Sequence, residues 1–495
     1  MAQFFQPKKG KSNRSKVPKG RSTVHSLASL QPDSNTQNAS EIISINKLDH
    51  TGKGISFSTQ PITIVENALA NETCEVKVYQ ASKKVRNARV LKVIEKNEYR
   101  QEPFCQYYEK CGGCTLQHVQ AEYALSEKYA ALQGYLSHQH QVVADKWLAP
   151  IRSDINYTSS NTIPGKNSVN EATAYRRRIR LAVDARNKNK VKVGYRERKS
   201  QRVIDIQNCP IALAPIQSAL LPINTMLKGF PSIASVGHIV ITVADTLAYT
   251  HESFAEDTIQ LALFVTQTLS AKSIMYLQEF VQSQALPISV VVKSKQAEPV
   301  LINALSESLP ILNQQNTLLQ GAPHHFLQVN ARVNDAMLRT AADWLNPKPN
   351  QVLYDFFCGS GNFSLMLAPK VKSVLGFEGV NEMVELAQHN AAVNNIENCT
   401  FATCDLSDER ALAQISMEKD SLVILDPSRE GALELCIALA NKAVSKILYV
   451  SCNPNSFARD LKHLQTHYKI DKITALDMFP FTSHLEVMAL LVAKQ

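Results

Sequence analysis

Short apolar runs alternate with amphipathic segments through the C-terminal third of the chain. Seven runs have the length and composition of buried strands, and a helical period of apolar residues separates the second run from the third. The strands are expected at Val352–Phe357, Val374–Glu378, Thr400–Thr403, Leu422–Leu425, Ile447–Val450, Ile473–Met478 and Leu485–Val492, and the helix at Met383–Asn394. This alternation predicts an α/β fold with a doubly wound sheet, which binds ligands beyond the carboxyl ends of its strands.

A turn with two glycines, Gly359 and Gly361, follows the first of these strands and leads into a predicted helix. Such a turn lets backbone approach a ligand closely, and a helix N-terminus offers free N–H groups. Ser364 stands where a third glycine would complete the dinucleotide fingerprint, so a purely structural turn is an equal alternative. Polar residues end the next strands and should share one sheet edge. They are Glu378, Asp405, Asp426 and Cys452.

Residues 41–99 change to short alternating strands with glycine turns, a pattern typical of a small β-barrel. This stretch resembles a TRAM domain, an OB-like RNA-binding barrel, which we assign to residues 41–100. It departs from that family at Asn71, where glycine usually precedes the glutamate. Lys83, Lys84, Arg86 and Arg89 are expected to form a basic side. A barrel that binds only protein is the alternative.

The chain of 495 residues should hold about three domains, and its formal net charge of +9 suits a polyanionic partner. Residues 1–40 have no acid before Asp33 and are expected to form a disordered basic tail that adds salt-dependent phosphate contacts. The sequence shows no apolar run long enough to span a membrane and no signal-peptide core. We therefore expect a cytoplasmic monomer with no membrane partner.

The cysteines are unevenly placed, and without a secretory signal disulfides are not expected. Cys105, Cys111 and Cys114 are close in sequence, whereas Cys209, which is followed by proline, lies far downstream. Four thiolates can hold zinc or an iron–sulfur cluster. Because zinc sites usually have two close cysteine pairs, this spacing favours a [4Fe–4S] cluster. A zinc site, and a merely buried Cys209, remain open.

Residues 101–325 are predicted to form a mixed α/β central domain that carries these cysteines. Two arginine-rich strips, at residues 175–180 and 196–202, flank predicted strands. Most charge runs are solvated faces, but aromatic-flanked arginines in a basic protein favour contact with RNA phosphates.

Cys452 is the clearest candidate for chemistry, because it ends a strand inside a Ser-Cys-Asn-Pro turn at the predicted ligand edge. A thiol there can act as a nucleophile if its pKa is lowered, and a buried strand cysteine is the alternative. Glu486, beside the last buried strand, is expected to be functional rather than merely solvated. For His484, a supporting role and a structural role are equally compatible with the sequence.

Five motifs together resemble those of the RNA uracil-C5 methyltransferase family. They are Phe326-x-Gln328-x-Asn330, Asp355-x-x-Cys358-Gly359-x-Gly361-Asn362-Phe363, Asp426-Pro427-x-Arg429-x-Gly431, Ser451-Cys452-Asn453-Pro454 and Phe479-Pro480-x-Thr482-x-His484-x-Glu486. The barrel and the four cysteines resemble the 23S ribosomal RNA branch of that family, because the tRNA-modifying relatives lack both. The resemblance covers roughly residues 41–495 and makes residues 326–495 a Rossmann-like methyltransferase domain.

This resemblance implies methyl transfer from S-adenosylmethionine to C5 of a uridine in 23S ribosomal RNA. It implies that Cys452 is the nucleophile that adds to uracil C6 and that Glu486 is the base that removes the C5 proton. Asp426 and Arg429 would also orient the uracil. The implied cofactor contacts are Gln328, Phe357, Asn362, Glu378, Asp405 and Asp426. The implied ligands of a [4Fe–4S] cluster are Cys105, Cys111, Cys114 and Cys209.

Other functions fit parts of the sequence. A radical methylthiotransferase also joins an iron–sulfur cluster to a TRAM barrel, but it needs a CxxxCxxC triad that this chain lacks. A non-catalytic RNA-binding protein with a degenerate methyltransferase fold would be expected to lose Cys452 or the glycine turn, and both are present. A different target, such as a tRNA uridine, remains an alternative.

Overall fold

The structure is a computed structural model that describes residues 40–153, 173–244, 258–285, 287–295, 297–304, 306–312, 317–442 and 444–494. Apart from its last residue, the predicted basic tail lies outside these ranges. Within them, no helix is both long and apolar enough to cross a membrane. Three large sheets and one hairpin organise the described chain.

The N-terminal sheet contains six strands, of which the first four are short, as the alternating pattern predicts, and the last two are longer. They are β1 (Ser40–Ser44), β2 (Lys47–Leu48), β3 (Gly54–Ser56), β4 (Ile62–Glu66), β5 (Thr73–Ala81) and β6 (Val85–Glu95), in the order β1-β5-β6-β4-β3-β2. Their inward side chains, including Ile43, Val65 and Val76, form a separate small core. Asn71 has a φ of 61°, and asparagine tolerates this left-handed conformation better than most residues, so it can replace the usual glycine.

A connecting segment joins this sheet to the rest of the chain. It contains α1 (Ala121–Gly134), a π-helical turn (Tyr135–Gln139) and β7 (Ala144–Trp147). At its start, Arg100 forms a two-pronged ion pair with the buried Glu72 of the N-terminal domain, with N···O distances of 2.5 and 2.7 Å. Although the sequence assigns this segment to the central domain, β7 pairs with the last sheet of the chain, whose edge would otherwise be open there.

The central domain is built on a second six-stranded sheet. Its strands are β8 (Arg178–Asp184), β9 (Lys192–Gly194), β10 (Val236–Val243), β11 (Ile259–Val265), β12 (Ile288–Ser294) and β13 (Val300–Ile302), in the order β13-β12-β11-β10-β8-β9. The helices α2 (Ala214–Gly229) and α3 (Ala271–Gln282) contribute to its apolar core. A hairpin, β14 (Leu309–Leu312) and β15 (Leu318–Gly321), then reaches towards the last domain.

The C-terminal domain contains all seven strands that the sequence predicts. The strands are β16 (Val352–Phe356), β17 (Ser373–Glu378), β18 (Cys399–Thr403), β19 (Leu422–Leu425), β20 (Lys446–Ser451), β21 (Tyr468–Leu476) and β22 (Glu486–Ala493). The helices are α4 (Ala331–Leu345), α5 (Asn362–Leu367), α6 (Asn381–Val393), α7 (Glu409–Gln414), α8 (Leu433–Ala440) and α9 (Pro454–Leu464). Strand β21 begins earlier than predicted, because its first half lies near the sheet edge, where polar residues alternate with apolar ones.

Both faces of this sheet are buried, which explains its continuous apolar strands. Along β16, Tyr354 and Phe356 face a core that includes α8 and α9, while Leu353 faces a core that includes α4 and α5. The strand order is β18-β17-β16-β19-β20-β22-β21-β7, and the first five strands are parallel. Strand β22 is antiparallel to β20, so it begins at the edge where the parallel strands end.

Candidate active-site cleft

One cleft of about 1400 Å³ runs between the N-terminal, central and C-terminal domains. The turn at Thr51–Lys53, the cysteine-bearing loop, the segment before α4 and the carboxyl edge of the C-terminal sheet all contribute to its walls. Of the predicted catalytic and cofactor residues, all line this cleft except Asp405. The fold therefore brings residues 158 positions apart in sequence, from Gln328 to Glu486, into one site.

The two predicted catalytic residues lie side by side because of strand register. The last pair between β20 and β22 joins Ser451 to Val487. One further step of this antiparallel register places Cys452 opposite Glu486. Asp426 follows β19, the parallel neighbour of β20, so all three side chains lie at one sheet edge.

Burial controls the charge of this group. It raises the pKa of the Glu486 carboxyl to about 7. Burial, with the nearby Glu486 and Asp355, also raises the pKa of Asp426 well above its usual range. Burial and then the two carboxylates raise the pKa of the Cys452 thiol, which the Arg429 guanidinium partly offsets. The thiol pKa in the free protein is therefore raised, whereas a nucleophile needs it lowered.

The glycine turn forms the other end of the cleft. Gly359 has a φ of +53°, and a Cβ atom added to it would meet nothing within 4 Å, so bare backbone faces open space. Gly361, with a φ of +91°, precedes the first residue of α5. Asn362 exchanges side-chain hydrogen bonds with Asn334 of α4, at 2.9 and 3.3 Å. This cradle accommodates a ligand that approaches the backbone closely.

The acidic residues beyond β17 and β18 differ in position. Glu378 lines the cleft, and its carboxylate accepts hydrogen bonds from the backbone N–H groups of Gly359 at 3.2 Å and Gly379 at 2.8 Å. Asp405 follows the outermost strand of the sheet. Its exposed carboxylate accepts from the backbone and hydroxyl of Ser407. Asp405 is not among the residues that line the cleft, so a cofactor contact by Asp405 stays a prediction.

Two residues of the first arginine strip hold the backbone of residues 325–328, the segment that contains the predicted cofactor contact Gln328. Arg177 is buried, and its Nε donates to the carbonyl of Gln328 at 2.9 Å. Arg178 donates to the carbonyl of His325 at 2.6 Å. In the second strip, the Arg198 guanidinium donates hydrogen bonds to backbone carbonyls of the loop that carries Cys111 and Cys114. These three guanidinium groups hold backbone in place, so the charge pattern overstated the number of arginines that are available to RNA.

The four predicted metal ligands line one small cavity between the cysteine loop and the central domain. Arg198 donates to the carbonyls of Cys111 and Cys114, at 2.9 and 2.6 Å. The four sulfurs all belong to described residues, and no three of them lie within 4.8 Å of one another. A tetrahedral zinc site would need separations of about 3.8 Å, given Zn–S bonds of about 2.3 Å. No three of these sulfurs are therefore as close together in the structure as a closed tetrahedral zinc site requires.

The hydrogen bonds also identify a polar group that the motifs did not indicate. His324 and His325 both donate from Nε2 to Glu382 of α6, at 2.8 and 3.0 Å. The ring Nδ1 of His325 accepts from the backbone N–H of Ala322, and that of His324 accepts from Lys293. Because both Nδ1 atoms are acceptors, the rings act as donors to Glu382 rather than as metal ligands. They fasten the end of the central domain to α6 of the C-terminal domain.

Comparisons with known proteins agree with this geometry. A family model described as tRNA (uracil-5-)-methyltransferase matches residues 173–494. The chain belongs to this family of RNA uracil-C5 methyltransferases. It is therefore an enzyme of the S-adenosylmethionine-dependent methyltransferase class.

Relatives of this methyltransferase carry a more specific description. It is 35% identical over 454 residues to the 23S rRNA (uracil(1939)-C(5))-methyltransferase RlmD of Alteromonas mediterranea, covering 92% of this chain and 88% of that one. It is 34% identical over 463 residues to the protein of the same description from Shewanella sediminis, covering 93% and 98%. The fold also matches the crystal structure of Pyrococcus abyssi tRNA (uracil-54, C5)-methyltransferase in complex with S-adenosyl-L-homocysteine. That match has a TM-score of 0.66 at 22% identity and covers 91% of this chain and 99% of that one.

The glycine cradle generates a prediction about cofactor binding. We expect Gly359→Val to weaken binding of S-adenosylmethionine at least about 10-fold, because a β-branched side chain is strained at this φ and would occupy the cradle. Isothermal titration calorimetry measures the affinity. Gly237→Ala is the control, since its added Cβ would meet its nearest described neighbour at an ordinary 3.8 Å and lies outside the cleft. Unchanged affinity in Gly359→Val would place the cofactor elsewhere.

Proposed function

We propose that this methyltransferase transfers a methyl group to C5 of a uridine in 23S ribosomal RNA through a covalent adduct between Cys452 and uracil C6. The observation that carries the proposal is the strand register, which aligns Cys452 with Glu486 at the edge that also holds the glycine cradle. The names of the relatives support ribosomal RNA as the substrate. S-adenosylmethionine, when bound against the cradle, supplies the methyl group.

The nucleophile is required because C5 of uracil is itself unreactive. The Cys452 thiolate forms a bond to C6, and the C5=C6 electron pair moves to give an enolate, which makes C5 nucleophilic. The thiol must first lose its proton, and burial opposes that loss. Arg429 lines the cleft and its charge favours the thiolate, while its backbone carbonyl accepts from Asn453 at 2.8 Å. The turn that carries the thiol is thus bound to the backbone of the residue that carries the cation.

The base acts after C5 has been methylated. Glu486 accepts the proton from C5, the electron pair re-forms the C5=C6 bond, and the sulfur leaves as a thiolate. Its raised pKa, about 7, suits a group that must accept a proton near neutral pH. Burial and the nearby carboxylates raise the pKa of Asp426 well above its usual range, and in its protonated form this carboxyl can donate a hydrogen bond to a uracil oxygen where negative charge develops.

RNA binding is assigned to the N-terminal domain and the open side of the cleft. The exposed Phe326 lines the cleft two residues before Gln328, where a base removed from its stack can be accommodated. The TRAM-like sheet contributes Lys53, which also lines the cleft. The basic tail and a cytoplasmic, monomeric state stay predictions that accompany this proposal.

We also propose that the four cysteines hold a [4Fe–4S] cluster. Burial raises the pKa of all four thiols, to about 12 for Cys114, so bound cations are needed to keep them as thiolates. The methyl transfer needs no electrons, and a cluster bound here would tie the cysteine loop to the central domain.

Labelled methyl transfer tests the substrate. We expect the enzyme to methylate one uridine of 23S ribosomal RNA that lacks the modification, with the position found by mapping. Transfer restricted to a tRNA uridine would contradict the proposed substrate while leaving the chemistry in place.

The covalent mechanism predicts that the two catalytic variants fail at different steps. With RNA and cofactor, Glu486→Gln should accumulate a protein–RNA adduct on a denaturing gel, because the methylated C5 keeps its proton and the sulfur cannot leave. Cys452→Ala should form neither adduct nor product. Cys399→Ala, a half-buried cysteine outside the cleft, is the control and should retain activity. Substantial methyl transfer by Cys452→Ala would point to another nucleophile, such as Cys358.

The pKa of Glu486 predicts how adduct breakdown depends on pH. Only the ionised carboxylate accepts a proton, so below about pH 7 the rate should fall about 10-fold per pH unit. Single-turnover decay of the adduct, followed from pH 5.5 to 8.5, measures this. Glu486→Gln should lose the pH-dependent step, and a wild-type rate independent of pH across this range would exclude Glu486 as the base.

The cluster has an analytical test that does not depend on activity. Anaerobically purified protein should be brown and contain iron and acid-labile sulfide, and Cys209→Ser should lose both. Cys399→Ser should retain both. Stoichiometric zinc without iron would overturn the assignment.

A further inference from the structure

The segment that carries the proposed base is held by hydrogen bonds to its backbone carbonyls and by packing of its apolar side chains. Residues 477–485 connect β21 to β22, and this segment leads into Glu486, the first residue of β22. The carbonyl of Phe479 accepts from the Thr482 hydroxyl at 2.8 Å, and that of Pro480 accepts from the Tyr175 hydroxyl at 3.4 Å. Phe481 has a φ of 62°, so the segment turns sharply before it enters the strand.

Two further attachments come from the connecting segment. The backbone N–H groups of Thr115 and Leu116, just after the cysteine Cys114, both donate to the carbonyl of Phe481, at 2.9 and 3.0 Å. The ring of Phe104 packs edge-on against that of Phe481, with centroids 5.0 Å apart. The base-bearing segment therefore rests on a part of the chain more than 350 residues earlier.

Lys128 of α1 makes the one attachment by a basic side chain among these contacts of the described chain. Its side chain is 2% exposed, and its Nζ donates to the carbonyls of Thr482 at 3.1 Å and His484 at 3.2 Å. The carboxylate of Asp477 lies 3.9 Å away. Burying an ammonium group is costly unless partners compensate it, so its place beneath this segment requires an explanation beyond packing.

The Glu486 carboxylate itself depends on this backbone. Among the described residues, no side-chain hydrogen bond or ion pair to it is present, and burial accounts for its raised pKa. Its direction is therefore set by where the chain enters β22, two residues after the His484 carbonyl that Lys128 holds. Thr482 and His484 both line the cleft, so a shift of this segment would reshape the site.

We propose that Lys128 is a positioning residue, whose ammonium group fixes the Thr482 and His484 carbonyls and so directs the Glu486 carboxylate at the C5 proton. This inference rests on the proposed role of Glu486. Without the ammonium group, two buried carbonyls lose their donor and the segment relaxes. A displacement of about 1 Å in a catalytic group can slow its step about 100-fold.

Lys128→Met tests the proposal, because methionine keeps most of the side-chain length and removes the donor. We expect adduct breakdown to slow about 10- to 100-fold, so that the variant accumulates the methylated protein–RNA adduct as Glu486→Gln does. Formation of the adduct and affinity for S-adenosylmethionine should stay within about 2-fold of wild type. This separation of steps distinguishes positioning of the base from a loss of folding, which would reduce both steps together.

Lys446→Met is the matched control. Its Nζ also donates to two backbone carbonyls, those of Trp344 at 3.2 Å and Leu345 at 2.6 Å, but outside the cleft. It should give no excess adduct. If Lys128→Met does not fold, Lys128→Leu, which also removes the donor, takes its place with the same measurement.

The outcomes separate this inference from the proposed function. Wild-type breakdown in the Lys128 variant, or an equal loss of both steps, would overturn the positioning role while Glu486→Gln still accumulates adduct. If Glu486→Gln itself gave no adduct, the base assignment would fall, and the role of Lys128 with it.

Discussion

The site depends on one reversal of strand direction in the C-terminal sheet. Five strands run parallel, and a parallel strand can present only its carboxyl end at the ligand edge. Strand β22 runs the other way, so it begins at that edge and places Glu486 opposite Cys452. Both faces of β22 pack into apolar cores, so a one-residue slip would exchange the side chains that fill the two cores and disrupt the packing of both.

The cysteine-bearing loop connects the three domains at the cleft. Arg100 anchors its approach to the N-terminal sheet through the buried Glu72. Arg198 of the central domain binds its carbonyls, and the N–H groups of Thr115 and Leu116 bind the segment that carries the base. A cluster on this loop would therefore act on catalysis through geometry, by stiffening the junction on which the base segment rests.

Burial makes the free site poorly suited to hold charge. The raised pKa values of Glu486, Asp426 and Cys452 share one cause, the low dielectric of the enclosed edge. Like charges there also oppose one another, so the thiolate and both carboxylates are not expected together. Arg429 is the cation that offsets this at the thiol. A bound uracil would offer hydrogen-bonding groups to these side chains and so compensate part of their burial.

The sequence by itself determined the strands, the glycine turn and the motif residues, because buried parallel strands and tight turns leave local patterns of apolar residues and glycine. It also indicated the family, through motifs that are short and contiguous. Only the tertiary structure decided that Cys452 faces Glu486, that Arg177 and Arg178 support backbone, and that Lys128 lies beneath the base segment. These facts depend on contacts between residues far apart in the chain, and a charged side chain has the same local pattern whether it is solvated or buried.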